Sequence, residues 1–240
     1  MRELAIQILK KNDLLEYAKE VRQKFRQLKL KIRKTDRPII DNYFSTHETR
    51  KLHIGCGNNP INGWLNSDYS PSSAAIIQLD ATHIFPFKND TFDYIFSEHM
   101  IEHITYSNGL KMLNECHRVL KKNGKIRLST PDLRFLIDLY QSNKSELQIQ
   151  YMEWAVDQFT KSPPYPDDTF IINNFFRDWG HQFIYDEKTL RSSMEKAGFK
   201  GIIRWKFNES KEDALRNLEN EKRAPKDFLK LETFTLEGTK

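Results

Sequence analysis

Three apolar segments near one another in the chain each end in residues that could bind a nucleoside. The run Lys51-Leu-His-Ile-Gly-Cys-Gly-Asn-Asn-Pro60 alternates like a buried strand and then turns through Gly55 and Gly57, where the missing Cβ lets a ligand approach the backbone. The next segment ends in Asp68, whose carboxylate can accept hydrogen bonds from both hydroxyls of a ribose. The third segment, Ala75 to Asp80, also ends in a carboxylate. This order of strand ends predicts a cofactor that carries a nucleoside.

The same turn argues against cofactors that are held by their phosphates. A dinucleotide-binding turn needs a third glycine, and Pro60 occupies that position here. The Gly-Lys-Ser/Thr of a phosphate-binding loop is absent as well. A nucleoside cofactor without a pyrophosphate is therefore favoured over a nicotinamide dinucleotide.

Further elements follow in the alternation that is typical of a doubly wound sheet. Phe85 to Ser97 reads as a turn that enters a fourth strand, Asn108 to Lys122 as a helix, and Lys125 to Thr130 as a fifth strand that Pro131 ends. From Leu52 to Phe199, the pattern LHIGCGNNP…GWLNSDYSP…D…FPFKNDTFDYIFSEHMIEHI…HRVLKKNGKIRLSTPD resembles the class I S-adenosylmethionine-dependent methyltransferases, and within them a group similar to enzymes of surface-saccharide modification.

The resemblance implies an α/β fold with a mostly parallel, seven-stranded sheet. Its last two strands are expected at Phe199 to Phe207 and at Phe228 to Glu237, one of them antiparallel. Only seven residues separate Cys56 from Trp64, too few for the usual crossover helix, and the next connection is equally short. We therefore expect helices to be missing beside the first three strands.

The implied cofactor is S-adenosyl-L-methionine. By resemblance, Gly55 and Gly57 lie close to its methionine and ribose portions, Asp68 holds the ribose hydroxyls, and Asp80 accepts from the adenine amino group. Many relatives carry an acidic residue where this chain has His53, so the usual contact with the methionine amino group is altered. The other predicted cofactor-binding residues are Cys56, Tyr69, Ala81 and Ser97.

Methyl transfer to a hydroxyl gains from a general base with a pKa near neutrality, and histidine is the usual one. The candidates are His99 and His103, which follow the fourth strand, and His181 in the segment Arg177-Asp-Trp-Gly-His-Gln-Phe-Ile-Tyr185. On a helix, His99, Glu102 and His103 would share one face. Arg177 is a candidate for gripping an anionic acceptor.

The chain has 240 residues, of which 38% are hydrophobic and 12% aromatic, enough for one catalytic domain. We place that domain at 46–240, with a helical lid or acceptor-side insertion at 141–180 that contains the stiff segment Ser162-Pro-Pro-Tyr-Pro-Asp-Asp168. Residues 1–45 form an N-terminal extension. Without a long apolar leader or membrane span, a cytoplasmic protein is expected.

The extension is basic and amphipathic. Nine basic and two acidic residues lie between Lys19 and Arg37, and an apolar stripe of helical spacing runs from Leu14 to Ile32. The stripe can pack on the domain and cover the sheet where crossover helices are missing, or form a homodimer contact. An anionic membrane surface and RNA phosphate remain alternatives for its charged face.

The two cysteines, Cys56 and Cys116, are too few for a disulfide framework. Together with His53 and His117 they form no zinc-binding clip, so no metal site is expected. In place of the Asp/Asn-Pro-Pro-Tyr signature of amino-group methylation, the fourth strand is followed by Ser97-Glu-His-Met, which favours an oxygen acceptor.

The favoured function is therefore O-methylation of a sugar, a glycan or another small hydroxylated acceptor. The enzymatic alternative is methylation of RNA or another macromolecule with the basic helix as a docking arm. The third hypothesis is a cofactor-binding scaffold subunit without turnover.

Overall fold

A computed structural model describes residues 35–141, 143–161 and 163–240. Its core is a seven-stranded sheet of order β3-β2-β1-β4-β5-β7-β6, in which β7 runs antiparallel to both of its neighbours. The predicted mostly parallel, doubly wound α/β fold with one antiparallel strand near the edge is confirmed. The strands are β1 (Lys51–Ile54), β2 (Leu65–Asp68), β3 (Ile77–Gln78), β4 (Phe92–Glu98), β5 (Leu120–Pro131), β6 (Lys200–Trp205) and β7 (Thr233–Thr239).

Seven α-helices lie in the described part of the chain. The predicted helices at 108–122, 141–160 and 186–197 each begin or end a few residues away from the prediction, and those at 133–139 and 168–177 were not predicted. The helices are α1 (Arg37–Thr46), α2 (Tyr106–Val119), α3 (Leu133–Leu139), α4 (Glu146–Phe159), α5 (Asp168–Arg177), α6 (Glu187–Lys196) and α7 (Phe228–Glu232).

The prediction of a continuous strand from Phe228 to Glu237 is wrong in its first half. Residues 228–232 form α7, and only the residues from Thr233 onwards pair with the sheet. The physical reason is packing, because Phe228 contacts the rings of Tyr151 and Trp154 on α4. The bulky apolar residues of that segment pack into a cluster of helices and not against a face of the sheet.

The first crossovers contain no helix in the described structure, as their lengths predict. Residues 35–46 supply part of the missing cover. Ile40 and Tyr43 of α1 are buried in the main core, and the Tyr43 hydroxyl donates to the carbonyl oxygens of Lys51 and Gly63, at 3.0 and 3.2 Å. The amphipathic stripe predicted from Leu14 to Ile32 lies outside the described residues.

The opposite face of the sheet is covered by residues that come late in the chain. Trp64 and Phe96 pack there against Leu215, which lies between β6 and β7. The fully buried Arg127 of β5 anchors that segment, because its guanidinium donates to Glu219 at 2.7 Å and to Glu237 at 2.6 Å. The segment between β6 and β7 therefore covers this face of the sheet, where crossover helices are absent. No helix among the described residues has the length and hydropathy to cross a membrane.

Candidate active site

A cleft of about 610 Å³ opens at the carboxyl ends of β1, β2 and β3. Gly55 and Gly57 line it, with φ angles of +73° and +51° that favour glycine. A Cβ on Gly55 would lie 2.3 Å from the Cγ of Met100, so this glycine lets Met100 pack against the turn. A Cβ on Gly57 would meet no atom within 4 Å, because this residue faces the open cleft.

Asp68 lines the same cleft and is fixed by the turn. One carboxylate oxygen accepts from the Gly57 backbone N–H at 2.9 Å, and the other accepts from the Ser70 N–H at 2.8 Å. Each oxygen of a carboxylate can accept a further bond. The side chain is therefore held in place and can still receive the two hydroxyls of a ribose.

Asp80 also lines the cleft, and its neighbours keep it ionised. Burial raises the pKa of Asp80, but hydrogen bonds from Thr82 and the contact with His83 outweigh burial and hold the pKa below its usual range. Leu79 and Ile104 supply apolar parts of the remaining wall. The exposed ring of Tyr69 and the small side chain of Ala81 complete this end of the cleft.

The lining suits a cationic nucleoside better than a phosphate. Two carboxylates, Asp68 and Asp80, face the cleft, and its lining within the described chain includes neither lysine nor arginine. Anionic phosphates need such cations or a helix N-terminus, whereas a sulfonium and an ammonium group suit carboxylates. The residues present therefore fit S-adenosylmethionine.

Three predicted cofactor contacts are not among the residues that line the cleft. His53 is buried on the other face of the sheet, against Phe96 and hydrogen-bonded to Asn66, because it alternates with Leu52 and Ile54 along β1. Burial lowers the pKa of His53 to about 4. Cys56 and Ser97 are also buried. Their roles toward the cofactor stay predictions.

A second cavity, of about 280 Å³, adjoins the cleft. His99 and His103 line both spaces and form the wall between them. Aromatic rings from α4, α5 and the following turn surround the rest, so the predicted insertion at 141–180 supplies much of this cavity. Its other lining residues are Glu102, Pro131, Tyr151, Trp154, Phe159, Phe175, Trp179, His181, Arg223, Ala224, Leu229 and Glu232.

All three predicted catalytic histidines meet at this wall. His99 has a φ of +47° and both ring nitrogens engaged, Nε2 at 2.9 Å from the Thr233 hydroxyl and Nδ1 at 3.3 Å from Glu102. The ring centroids of His103 and His181 are 4.9 Å apart. A 3₁₀ turn at Ile101–His103, instead of the helix that the spacing suggested, brings His99 and Glu102 together.

His181 has one ring nitrogen free for chemistry. Its Nδ1 lies 2.8 Å from the Phe175 carbonyl and donates to it, which leaves Nε2 as the acceptor. Burial lowers the pKa of His181 and outweighs the opposing effect of that hydrogen bond, so the ring is neutral at pH 7.

The predicted anion-binding residue Arg177 does not reach the cavity, because it is exposed at the end of α5. Arg223 lines the cavity instead, opposite Glu232, whose carboxylate accepts a hydrogen bond from the hydroxyl of Tyr151. Arg223 and Glu232 were not predicted as site residues, and no local pattern marks them as such.

The strand order, with a cleft at the strand ends that suits a nucleoside and lacks a phosphate site in the described chain, is that of the class I S-adenosylmethionine-dependent methyltransferase fold. Residues 52–128 match the sequence model of the family described as "Methyltransferase domain", which covers about a third of the chain. The chain therefore carries a methyltransferase domain, and the residues of its cleft fit S-adenosylmethionine. No curated protein matches its sequence.

Solved structures with a similar fold are remote in sequence. A SAM-dependent methyltransferase from Archaeoglobus fulgidus is 16% identical, with 85% of this chain and 91% of that chain covered and a TM-score of 0.48. A methyltransferase from Mesorhizobium loti is 12% identical, with 86% and 98% covered and a TM-score of 0.46. Phosphoethanolamine N-methyltransferase 2 of Haemonchus contortus, solved with S-adenosyl-L-methionine, is 15% identical, with 85% and 52% covered and a TM-score of 0.43.

Proposed function

We propose that this methyltransferase acts on a hydroxyl group of a ring-shaped acceptor, a sugar unit of a glycan or a small hydroxylated molecule. The observation that carries the proposal is the shared wall. His99 and His103 separate the cofactor cleft from the aromatic cavity, so an acceptor in that cavity lies next to the methyl donor. Holding the two reactants side by side is the main contribution that such an enzyme makes.

The lining of the cavity supports a ring-shaped acceptor. Trp154 and Phe159 lie with ring centroids 5.4 Å apart, and Phe159 and Trp179 with centroids 4.9 Å apart, so three adjoining rings form one apolar surface. The C–H face of a sugar or the face of a phenol can stack on such a surface, while a few polar groups fix its orientation. Arg223 and Glu232 supply polar groups at the far side.

Chemistry at oxygen is supported by the imidazoles at the wall. The bound cofactor supplies a methyl carbon made electrophilic by the sulfonium charge. The neutral His181 presents its free Nε2 to the cavity and can accept the proton of an acceptor hydroxyl. Ser97-Glu-His-Met at the end of β4 also favours oxygen over an exocyclic amino group.

The test is transfer of a labelled methyl group from S-adenosylmethionine to a panel of acceptors. The panel contains glycosides and phenols, with matched amines and generic RNA as competing classes. We expect label on hydroxylated ring acceptors, and a loss of turnover in His181→Ala with cofactor binding unchanged.

Three results would overturn the proposal. Transfer to amines would assign nitrogen chemistry. Transfer to RNA with steep salt dependence would assign a docking role to the basic N-terminal helix. Cofactor binding without transfer to any acceptor would favour the scaffold hypothesis.

A further inference from the structure

Three of the seven histidines of the chain and one buried carboxylate converge at the wall between the cleft and the cavity. One ligand atom from each of Glu102, His103 and His181 lies within 4.8 Å of the others. We propose that Glu102, His103 and His181 bind a divalent transition-metal ion such as Zn²⁺. Two imidazoles and a carboxylate are a ligand set that such ions accept.

One oxygen of the Glu102 carboxylate has no hydrogen bond and has the ring of His99 as its neighbour. Glu102 is fully buried, and its Oε2 accepts from the Thr130 hydroxyl at 3.0 Å, whereas its Oε1 has no hydrogen bond. His99 Nδ1 lies 3.3 Å from Oε1, an ion-pair distance without hydrogen-bond geometry. An ionised oxygen without a hydrogen bond in the interior is costly, and a bound cation would supply a further partner.

The ligand residues have the supporting contacts that metal sites need. The His181 Nδ1 donates to a backbone carbonyl at 2.8 Å, which fixes the tautomer and aims Nε2 as a ligand. Thr130 orients the carboxylate in the same way.

The two segments that carry these ligands are also tied to each other. The Gln182 N–H donates to the Glu102 carbonyl at 2.7 Å, and the Gln182 side chain donates to the His103 carbonyl at 2.9 Å. At metal–ligand distances of about 2.0–2.2 Å, tetrahedral ligand atoms lie about 3.4 Å apart. The three atoms, which lie within 4.8 Å of one another, would therefore move closer by up to about 1.4 Å when the ion binds.

Three protein ligands leave open coordination positions beside the acceptor cavity. In this respect the inference rests on the proposed function, which it deepens: the ion would bind the acceptor oxygen and lower the pKa of its hydroxyl. The hydroxyl proton leaves to solvent, the oxygen forms a bond to the methyl carbon, and the C–S bond breaks with its electron pair on sulfur. In this form of the proposed function, Nε2 of His181 is a metal ligand, so the ion replaces the free imidazole as the group that activates the acceptor hydroxyl.

The experiment is calorimetric titration of Zn²⁺ into the full chain after treatment with a chelator, without cofactor or acceptor. We expect one equivalent to bind, and Co²⁺ to give visible absorption bands in the same stoichiometry. Glu102→Gln and His181→Gln should each weaken binding at least tenfold. The matched control is His47→Gln, directly after α1 at a residue that lines neither the cleft nor the cavity, which should bind like the wild type.

Circular dichroism checks that each variant folds. If one variant does not fold, the Co²⁺ absorption bands of the wild type still report the type of ligand directly. The inference is overturned if the folded wild type binds no Zn²⁺, or if Glu102→Gln and His181→Gln bind as tightly as His47→Gln. It is also overturned if methyl transfer survives complete removal of metal. Separate titration with S-adenosylmethionine distinguishes these outcomes from failure of the proposed function, because cofactor binding does not need the ion.

Discussion

The cofactor cleft and the acceptor cavity differ in how far apart along the chain their residues lie. Most of the cleft comes from one stretch between Ile54 and Thr82, where two short turns between parallel strands hold the glycines and carboxylates. The cavity draws on residues from His99 to Glu232, contributed by β5, α4, α5, α7 and two 3₁₀ turns. Backbone turns therefore shape the cleft locally, whereas long-range packing and buried polar anchors must shape the cavity.

The largest expected effect comes from the anchor on which the late part of the chain depends. Arg127→Ala should lower the free energy of unfolding by about 3–5 kcal/mol, because it leaves the buried Glu219 and Glu237 without their partner. Urea denaturation measures the change. Arg134→Ala, which removes an exposed pair with Asp138, is the matched control and should change stability little. A loss below about 1 kcal/mol in Arg127→Ala would show that the cover of the sheet does not depend on this anchor.

Acid should lower the free energy of unfolding through His53, which lies on the opposite face of the sheet from the cleft. Its pKa is lowered by burial to about 4, so the unfolded chain takes up the proton first as the pH falls. Its contribution to stability is complete above pH 6.5 and is lost between pH 6.5 and pH 4, about 3 kcal/mol over that range.

The measurement is the free energy of unfolding against pH for the wild type and for His53→Gln. The variant should show a shallower loss of stability between pH 6.5 and 4 than the wild type. Parallel curves for the wild type and His53→Gln would mean that His53 is protonated in the folded protein without cost.

Removing the carboxylate of the cleft should separate the two regions functionally. Asp68→Ala should weaken binding of S-adenosylmethionine about 100-fold, because two hydrogen bonds to a charged group are lost. Isothermal titration measures the affinity, and Asp157→Ala, at an exposed carboxylate on α4, is the control. Asp68→Asn should retain more affinity, since an amide oxygen still accepts one bond. Unchanged affinity in Asp68→Ala would remove Asp68 from the cofactor site.

The contrast between the two regions also explains what the sequence could predict. Gly55, Gly57, Asp68 and Asp80 follow strand ends within thirty residues, so their joint position in the cleft follows from parallel strands alone. The direction of a side chain is harder to predict. His53 points to the other face of the sheet, and the four residues of β1 are too few to show from the sequence which of them face the cleft.

The acceptor cavity could be predicted only in outline. The three histidines were found because histidine chemistry is distinctive, but their mutual contact depends on a 3₁₀ turn and on the positive φ of His99. Arg223 and Glu232 enter through a segment anchored by Arg127, a tertiary interaction that leaves no local pattern. A helical Phe228–Glu232 was missed because its bulky residues suit a strand equally well until their packing partners on α4 are known.

The smallest effect should be the most selective for the cavity. Trp154 packs between Phe159 and Phe228, and Trp154→Ala removes one ring of the aromatic surface. The loss of one stacking contact should raise the KM for a ring-shaped acceptor about tenfold, with kcat and the Kd for S-adenosylmethionine nearly unchanged. Tyr140→Ala, which removes an exposed ring outside the cavity, is the control. If Trp154→Ala lowers cofactor affinity as much as acceptor affinity, the two regions are coupled through α4, and the cavity is not an independent acceptor site.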